Sequence, residues 1–129
     1  MAEFPGQHFR VLPGQFAVCR LGRNAPWPEW ARGSFVNVTV TEEEMSVVCA
    51  AEAVPKTVTA EREWRVLKIV GPFAFTATGV LASLAAPLAQ AGVSLLSIAT
   101  YDTDYLLVKS ESLEKAVATL TAAGHVRVG

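Results

Sequence analysis

Histidine and cysteine are nearly absent: His8 and His125 lie at opposite ends of the 129 residues, and Cys19 and Cys49 are the only thiols. Neither pair has the short spacing of a metal site, so no metal is expected. No Ser/His/Asp or Cys/His set stands out, and no enzyme is expected. An excess of one charge is also missing. Eleven basic residues face twelve acidic ones, for a net charge of −1, which argues against a nucleic-acid partner. No apolar run is long enough to span a bilayer. The longest candidate, residues 79–91, is interrupted by Ser83, Pro87 and Gln90. No basic stretch precedes an apolar run at the start, so no signal peptide is expected. Neither a P-loop nor a G-x-G-x-x-G fingerprint occurs, and no cofactor is expected. Spacing alone allows a Cys19–Cys49 disulfide, but the expectation is two free, buried thiols in a cytoplasmic protein.

What the chain does have is apolar surface. Hydrophobic residues make up 51% of it, enough for a substantial core and too many for a disordered chain. In the first half, residues 15–21 and 45–50 read as strands. Phe35, Val36, Val38 and Val40 alternate partly with polar neighbours, as in a half-buried strand. A short helical turn is expected at 28–31, a turn at 41–44, and a polar surface loop over 55–63.

The second half is better defined. Residues 64–70 read as a strand ended by Gly71-Pro72. Leu81, Leu84, Leu88 and Ala91 recur at helical spacing, with Thr76 or Thr78 as N-cap and Gly92 at the left-handed C-terminal position. Pro87 inside that helix predicts a kink or a break, since it removes a hydrogen bond at a cost of roughly 3 kcal/mol. Residues 93–100 are apolar on both faces and read as a mid-sheet strand. A turn at 101–104 leads into a strand over 105–109. Leu113, Ala116, Val117 and Leu120 mark a second helix, capped by Ser110 or Ser112 and closed by Gly124. A short strand over 125–128 ends the pattern. His8 and His125 read as surface or strand-end histidines.

The order strand–helix–strand–strand–helix–strand is the split βαβ, ferredoxin-like arrangement. The expected class is α+β, with antiparallel sheets and the helices on one face. The expected division is a degenerate module over 1–60 and a complete one over 61–129. Thr78-Gly79-Val80 at a helix start can offer free N–H groups to a carboxylate, or can simply cap and pack the helix. Asp102 and Asp104 can accept from an ammonium or guanidinium group, or serve as turn residues.

Several strings resemble one family: Leu12-Pro13-Gly14, Glu44 through Cys49, Trp64 through Pro72, Thr78 through Ser83, Pro87-Leu88-Ala89 and Tyr101 through Tyr105. Together they are similar to the small bacterial tandem ACT proteins, relatives of the CASTOR-type arginine sensors of animals. The resemblance implies two ACT-like modules, a homodimer, and a small amino-acid effector bound between modules or at a dimer interface. It implies regulation of an unknown protein partner and no catalysis. Carried over by motif, the ligand-binding positions are Thr76, Thr78, Gly79, Val80, Leu81, Ser97, Ile98, Thr100, Tyr101 and Asp104. In the sensors an acidic residue at the position matching Asp104 faces the basic side chain, and a second precedes the glycine of the helix start, where this chain has Ala77-Thr78-Gly79. That departure leaves a neutral or small amino acid as plausible a ligand as arginine. The other reading of the same fold is a ligand-free interaction module that dimerises through exposed sheet edges.

Overall fold

The computed structural model describes residues 6–71 and 78–129, so the expectation placed on Thr76 lies outside the described residues. Two units divide the chain. Residues 13–64 form one, and residues up to Leu12 together with 65–129 form the other. The first is therefore an insertion within the second, whereas the sequence pattern placed a single boundary at 60/61. The difference arises from a strand at His8–Val11 (β1), four residues too few to show a periodicity.

In the inserted unit, β2 (Phe16–Gly22), β3 (Asn37–Val40), β4 (Glu44–Ala50) and the first half of β5 (Thr59–Ile69) form an antiparallel sheet in the order β3-β4-β2-β5. Ala17, Cys19, Met45, Val47 and Cys49 share one face by strand alternation and form its core with Val54. Thr41 closes the β3–β4 turn, its hydroxyl accepting from the N–H groups of Glu43 and Glu44 at 3.1 Å each. The loop expected over 55–63 is shorter than that, because β5 already begins at Thr59. Thr59, Glu61 and Glu63 are exposed while Ala60 and Arg62 are half-buried. This is a strand alternation hidden under charge.

Both thiols are free and buried. Ala17 pairs with Cys49 and Cys19 with Val47, which makes the two cysteines diagonal neighbours on one face. Burial, reinforced by Cys49, pushes the Cys19 thiol up to about 11 from an ordinary value of 9.0. Burial also raises Cys49. A thiol pKa raised by folding contributes stability that is fully present below the unfolded value and lost as pH rises through the folded one. Stability is expected to fall by up to about 2–3 kcal/mol between pH ~9 and ~11. In urea titrations across that range, Cys19→Ala should flatten the decline; an unchanged slope would remove Cys19 as its source.

The discontinuous unit holds the βαββαβ order: β5, α1 (Val80–Gln90), β6 (Leu95–Ala99), β7 (Asp104–Lys109), α2 (Leu113–Ala122) and β8 (Val126–Arg127). Leu67 and Ile69 of β5, Leu106 and Val108 of β7, and Phe9 of β1 point to one face. There they meet Leu84 and Leu88 of α1 and Ala116 and Leu120 of α2. Both helices thus cover the same face of an α+β fold, as expected. The sheet order is β6-β7-β5-β1-β8, with β1 interposed beside β5 and running parallel to β8. That parallel pair makes the sheet mixed. It requires close approach: a Cβ on Gly6 would strike the carbonyl oxygen of Gly124.

Four expectations are corrected. α1 is capped by Gly79, in the left-handed region at φ 78°, and among the described residues no side chain, Thr78 included, makes a capping bond. Ser112 occupies the N-cap of α2 but likewise makes no side-chain capping bond. The strand foreseen over 93–100 is mid-sheet only in its apolar composition. Among the described residues β6 pairs with β7 alone, and Leu96 and Ser97 are exposed on it. Pro87 does not break α1, which runs as one helix through it.

His125 explains the intact helix. Pro87 has no N–H, so the Ser83 carbonyl four residues earlier loses its helical donor. The His125 ring supplies one, with Nε2 2.8 Å from that carbonyl oxygen, while the Gln7 N–H donates to Nδ1 at 2.9 Å. A backbone N–H can only donate and a carbonyl can only accept, so these two bonds fix the neutral Nε2–H tautomer. The residue read as a surface or strand-end histidine does precede β8, but it is buried with both ring nitrogens engaged.

Candidate functional site

The candidate residues gather at two places in the discontinuous unit. The first is the start of α1. Gly79 turns the chain, and the Ser83 N–H is the first to bond back, to the Gly79 carbonyl at 2.9 Å. The N–H groups of Val80, Leu81 and Ala82 lie in the first turn, where no helix carbonyl is available to them. Thr78, Gly79 and Leu81 are exposed and Val80 is half-buried. α1 has eleven residues, enough for its positive end to favour an anion.

The second place is the β6–β7 hairpin, against whose first strand α1 packs. Register pairs Ala99 with Asp104, Ile98 with Tyr105 and Ser97 with Leu106. Leu106 points to the helix-covered face, so Asp104, two residues before it, does too, together with Ser97. Ile98 points to the opposite face. The structure therefore puts Ser97 and Asp104 on the face that carries α1 and separates Ile98 from them.

The hairpin tip is tied down. The Thr100 N–H donates to the Thr103 carbonyl at 2.8 Å, and the Thr100 hydroxyl donates to the same oxygen at 3.0 Å. The Thr103 N–H donates back to that hydroxyl at 3.3 Å. Buried Thr103 in turn donates through Oγ1 to the Ile69 carbonyl at 2.6 Å, pinning the turn to the end of β5. Thr100 thus holds the turn, while Tyr101 is 80% exposed at its tip.

The sequence reading missed a cavity on the helix-free side. It measures about 250 Å³ and is lined by Arg10, Lys68, Val70, Gly71, Asp102 and Thr103. Arg10 and Lys68 are directly paired across β1 and β5. Their neighbours Phe9, Leu67 and Ile69 point into the core, so the two cations point away from it. Lys68 stands alone as a cation among Val66, Leu67, Ile69 and Val70, and its partner strand was not foreseen.

Among the described residues there is no group of three or more His, Cys, Asp or Glu side chains that could hold a metal. No helix among the described residues is long and apolar enough to cross a membrane.

Comparison with known proteins bears on the same region. An ACT domain model matches residues 59–122, and a model described as an N-terminal domain matches residues 14–57. The chain is 31% identical over 104 residues to the cytosolic arginine sensor for mTORC1 subunit 1 of Bos taurus. That match covers 72% of this chain and 32% of the relative, so the chain spans about a third of the sensor's length. Among solved structures it resembles protein Atu0741 of Agrobacterium tumefaciens with a TM-score of 0.91 and 36% identity, covering 97% of this chain and 94% of that one. Aspartate kinase of Clostridium acetobutylicum shares the fold at a TM-score of 0.69 and 14% identity, over 90% of this chain and 34% of the kinase.

Proposed function

The chain belongs to the ACT-domain proteins, and from that premise we propose that it is a non-enzymatic regulatory module that binds a small amino acid as effector. The observation that carries this reading is the start of α1, opened by left-handed Gly79 and, among the described residues, capped by no side chain. The effector's carboxylate sits on the N–H groups of Val80 to Ala82, with Thr78 and Leu81 beside it. Its ammonium or side chain reaches Asp104, on the face that Ser97 shares, as a charge-assisted acceptor. Thr100 and Tyr101 border the site through the hairpin turn, and Ile98 contributes through its backbone. The inserted unit acts as a reduced module of the same kind. The protein works in the cytoplasm as a homodimer, with effector binding altering its affinity for a protein partner. A coupling of about 1–3 kcal/mol is typical of such regulation.

Thermal unfolding against each of the twenty amino acids at millimolar concentration tests this. A ligand at 100 times its Kd adds about 2.7 kcal/mol and is expected to raise the Tm by several degrees. One or a few amino acids should do so, and Asp104→Ala should abolish the shift. A shift indifferent to Asp104→Ala would reject this site.

A second reading has its own support. β6 and β3 each have one partner strand among the described residues, with Leu96 41% and Val40 55% exposed. Such edges suit a ligand-free module that pairs with another copy. A Tm that rises with protein concentration and with no amino acid would favour it.

A further inference from the structure

We propose that the helix-free side of the discontinuous unit carries a second ligand site, for an acidic α-amino acid, built from Arg10, Lys68 and Asp102. It is independent of the α1 site and shares none of the residues assigned there.

The argument starts from an electrostatic cost. Arg10 and Lys68 stand directly opposite each other on β1 and β5. Like charges in that relation destabilise a strand pair. Asp102 is the one carboxylate among the residues lining the cavity, so one anion stands against the two cations there. Both cations line the same cavity of about 250 Å³, which suits a small ligand rather than a cofactor. Its walls are held in place. Val70 donates its N–H to the His8 carbonyl at 2.9 Å, and Thr103 bonds to the Ile69 carbonyl. Asp102 projects from the turn that Thr100 and Thr103 close. A ligand therefore meets two cations and one anion carried on backbone that is already tied down.

Charge selects the ligand. Two cations and one carboxylate complement a molecule with two carboxylates and one ammonium group. Glutamate and aspartate have that set. One carboxylate takes the planar fork of Arg10, the other takes the Lys68 ammonium, and Asp102 accepts from the α-ammonium group.

The test is calorimetric titration of the full chain with L-glutamate, L-aspartate, succinate and inorganic phosphate. Arg10→Gln, Lys68→Gln and Asp102→Asn are compared with the parent. All three change solvent-facing groups, and thermal unfolding verifies that they fold. The expected result is saturable binding of glutamate or aspartate. Each variant should weaken it by about tenfold or more, the loss of one charge-assisted hydrogen bond. Asp102→Asn should not weaken succinate binding, because succinate has no ammonium group and is relieved of a neighbouring like charge. No binding of either amino acid, or binding that ignores Arg10 and Lys68, overturns the proposal. Phosphate binding more tightly than both amino acids and indifferent to Asp102→Asn also overturns it, in favour of a simple anion site. Failure here leaves the thermal shifts that depend on Asp104 untouched, so the two sites are judged separately.

Discussion

Replacing His125 by phenylalanine is expected to destabilise the protein by about 2–4 kcal/mol, and adding Pro87→Ala to that chain should recover part of the loss. The ring of His125 serves two backbone groups at once, the Gln7 N–H and the Ser83 carbonyl. Phenylalanine keeps most of the buried volume and satisfies neither group. Each buried polar group left without a partner costs about 1–3 kcal/mol. Alanine at 87 restores the N–H that a continuous helix aims at residue 83, so the carbonyl no longer depends on the histidine. The Gln7 N–H stays unpaired, and the recovery is therefore incomplete. Pro87→Ala alone should gain much less than the roughly 3 kcal/mol that removing an interior helix proline would otherwise imply, because His125 already compensates that proline. Urea unfolding of the four chains gives the coupling directly. About 1–2 kcal/mol is expected, and strictly additive changes would disprove the compensation.

The second large effect lies in the inserted unit. Gly33 has φ 139°, and a Cβ there would lie 2.9 Å from the Ala50 Cβ and 3.1 Å from the Ala50 nitrogen. Retreat is blocked, since the Ala50 N–H donates to the Arg32 carbonyl next door at 2.9 Å. Gly33→Ala therefore adds backbone strain to a steric conflict, and a loss of about 2–4 kcal/mol is expected. Gly14 supplies the contrast. Its φ is 80°, but a Cβ there meets nothing within 4 Å. Gly14→Ala should incur only the left-handed penalty of about 1–2 kcal/mol. Equal urea midpoints for the two variants would mean that the Gly33–Ala50 approach is not the constraint.

The sequence made the helices and their core faces legible because helical spacing persists over several turns. Leu84 and Leu88 and then Ala116 and Leu120 are buried as that spacing requires. The C-terminal ends of the helices were equally readable, whereas their N-caps were not. Gly92 and Gly124 both have positive φ, and each is followed by an N–H that reaches back, Val93 to Leu88 and His125 to Leu120. Strands were harder. β1 is four residues long, β5 hides its first turns of alternation under charged residues, and β6 is apolar where it faces solvent. In each case the deciding fact is which strand lies alongside, and that is not a local property. The same limit governed the sites. The start of α1 could be found from Gly79 and its neighbours, whereas the opposition of Arg10 and Lys68 depends on pairing across 58 positions of chain. The role of His125 required both Pro87 and Gln7 to be placed first.

The parallel pairing of β1 with β8 also bears on how the chain reaches this structure. Gln7 and His125 are 118 positions apart, whereas the β6–β7 hairpin joins residues a few positions apart. Loop-closure entropy grows with the logarithm of the separation, so the hairpin forms cheaply and the β1–β8 contact does not. Only two residues of β8 share in the reward. A contact so remote and so short cannot nucleate the fold. It is expected to be a closing step, made after β5, both helices and the hairpin have brought the two strands side by side, and it raises the mean contact separation that slows folding of small domains.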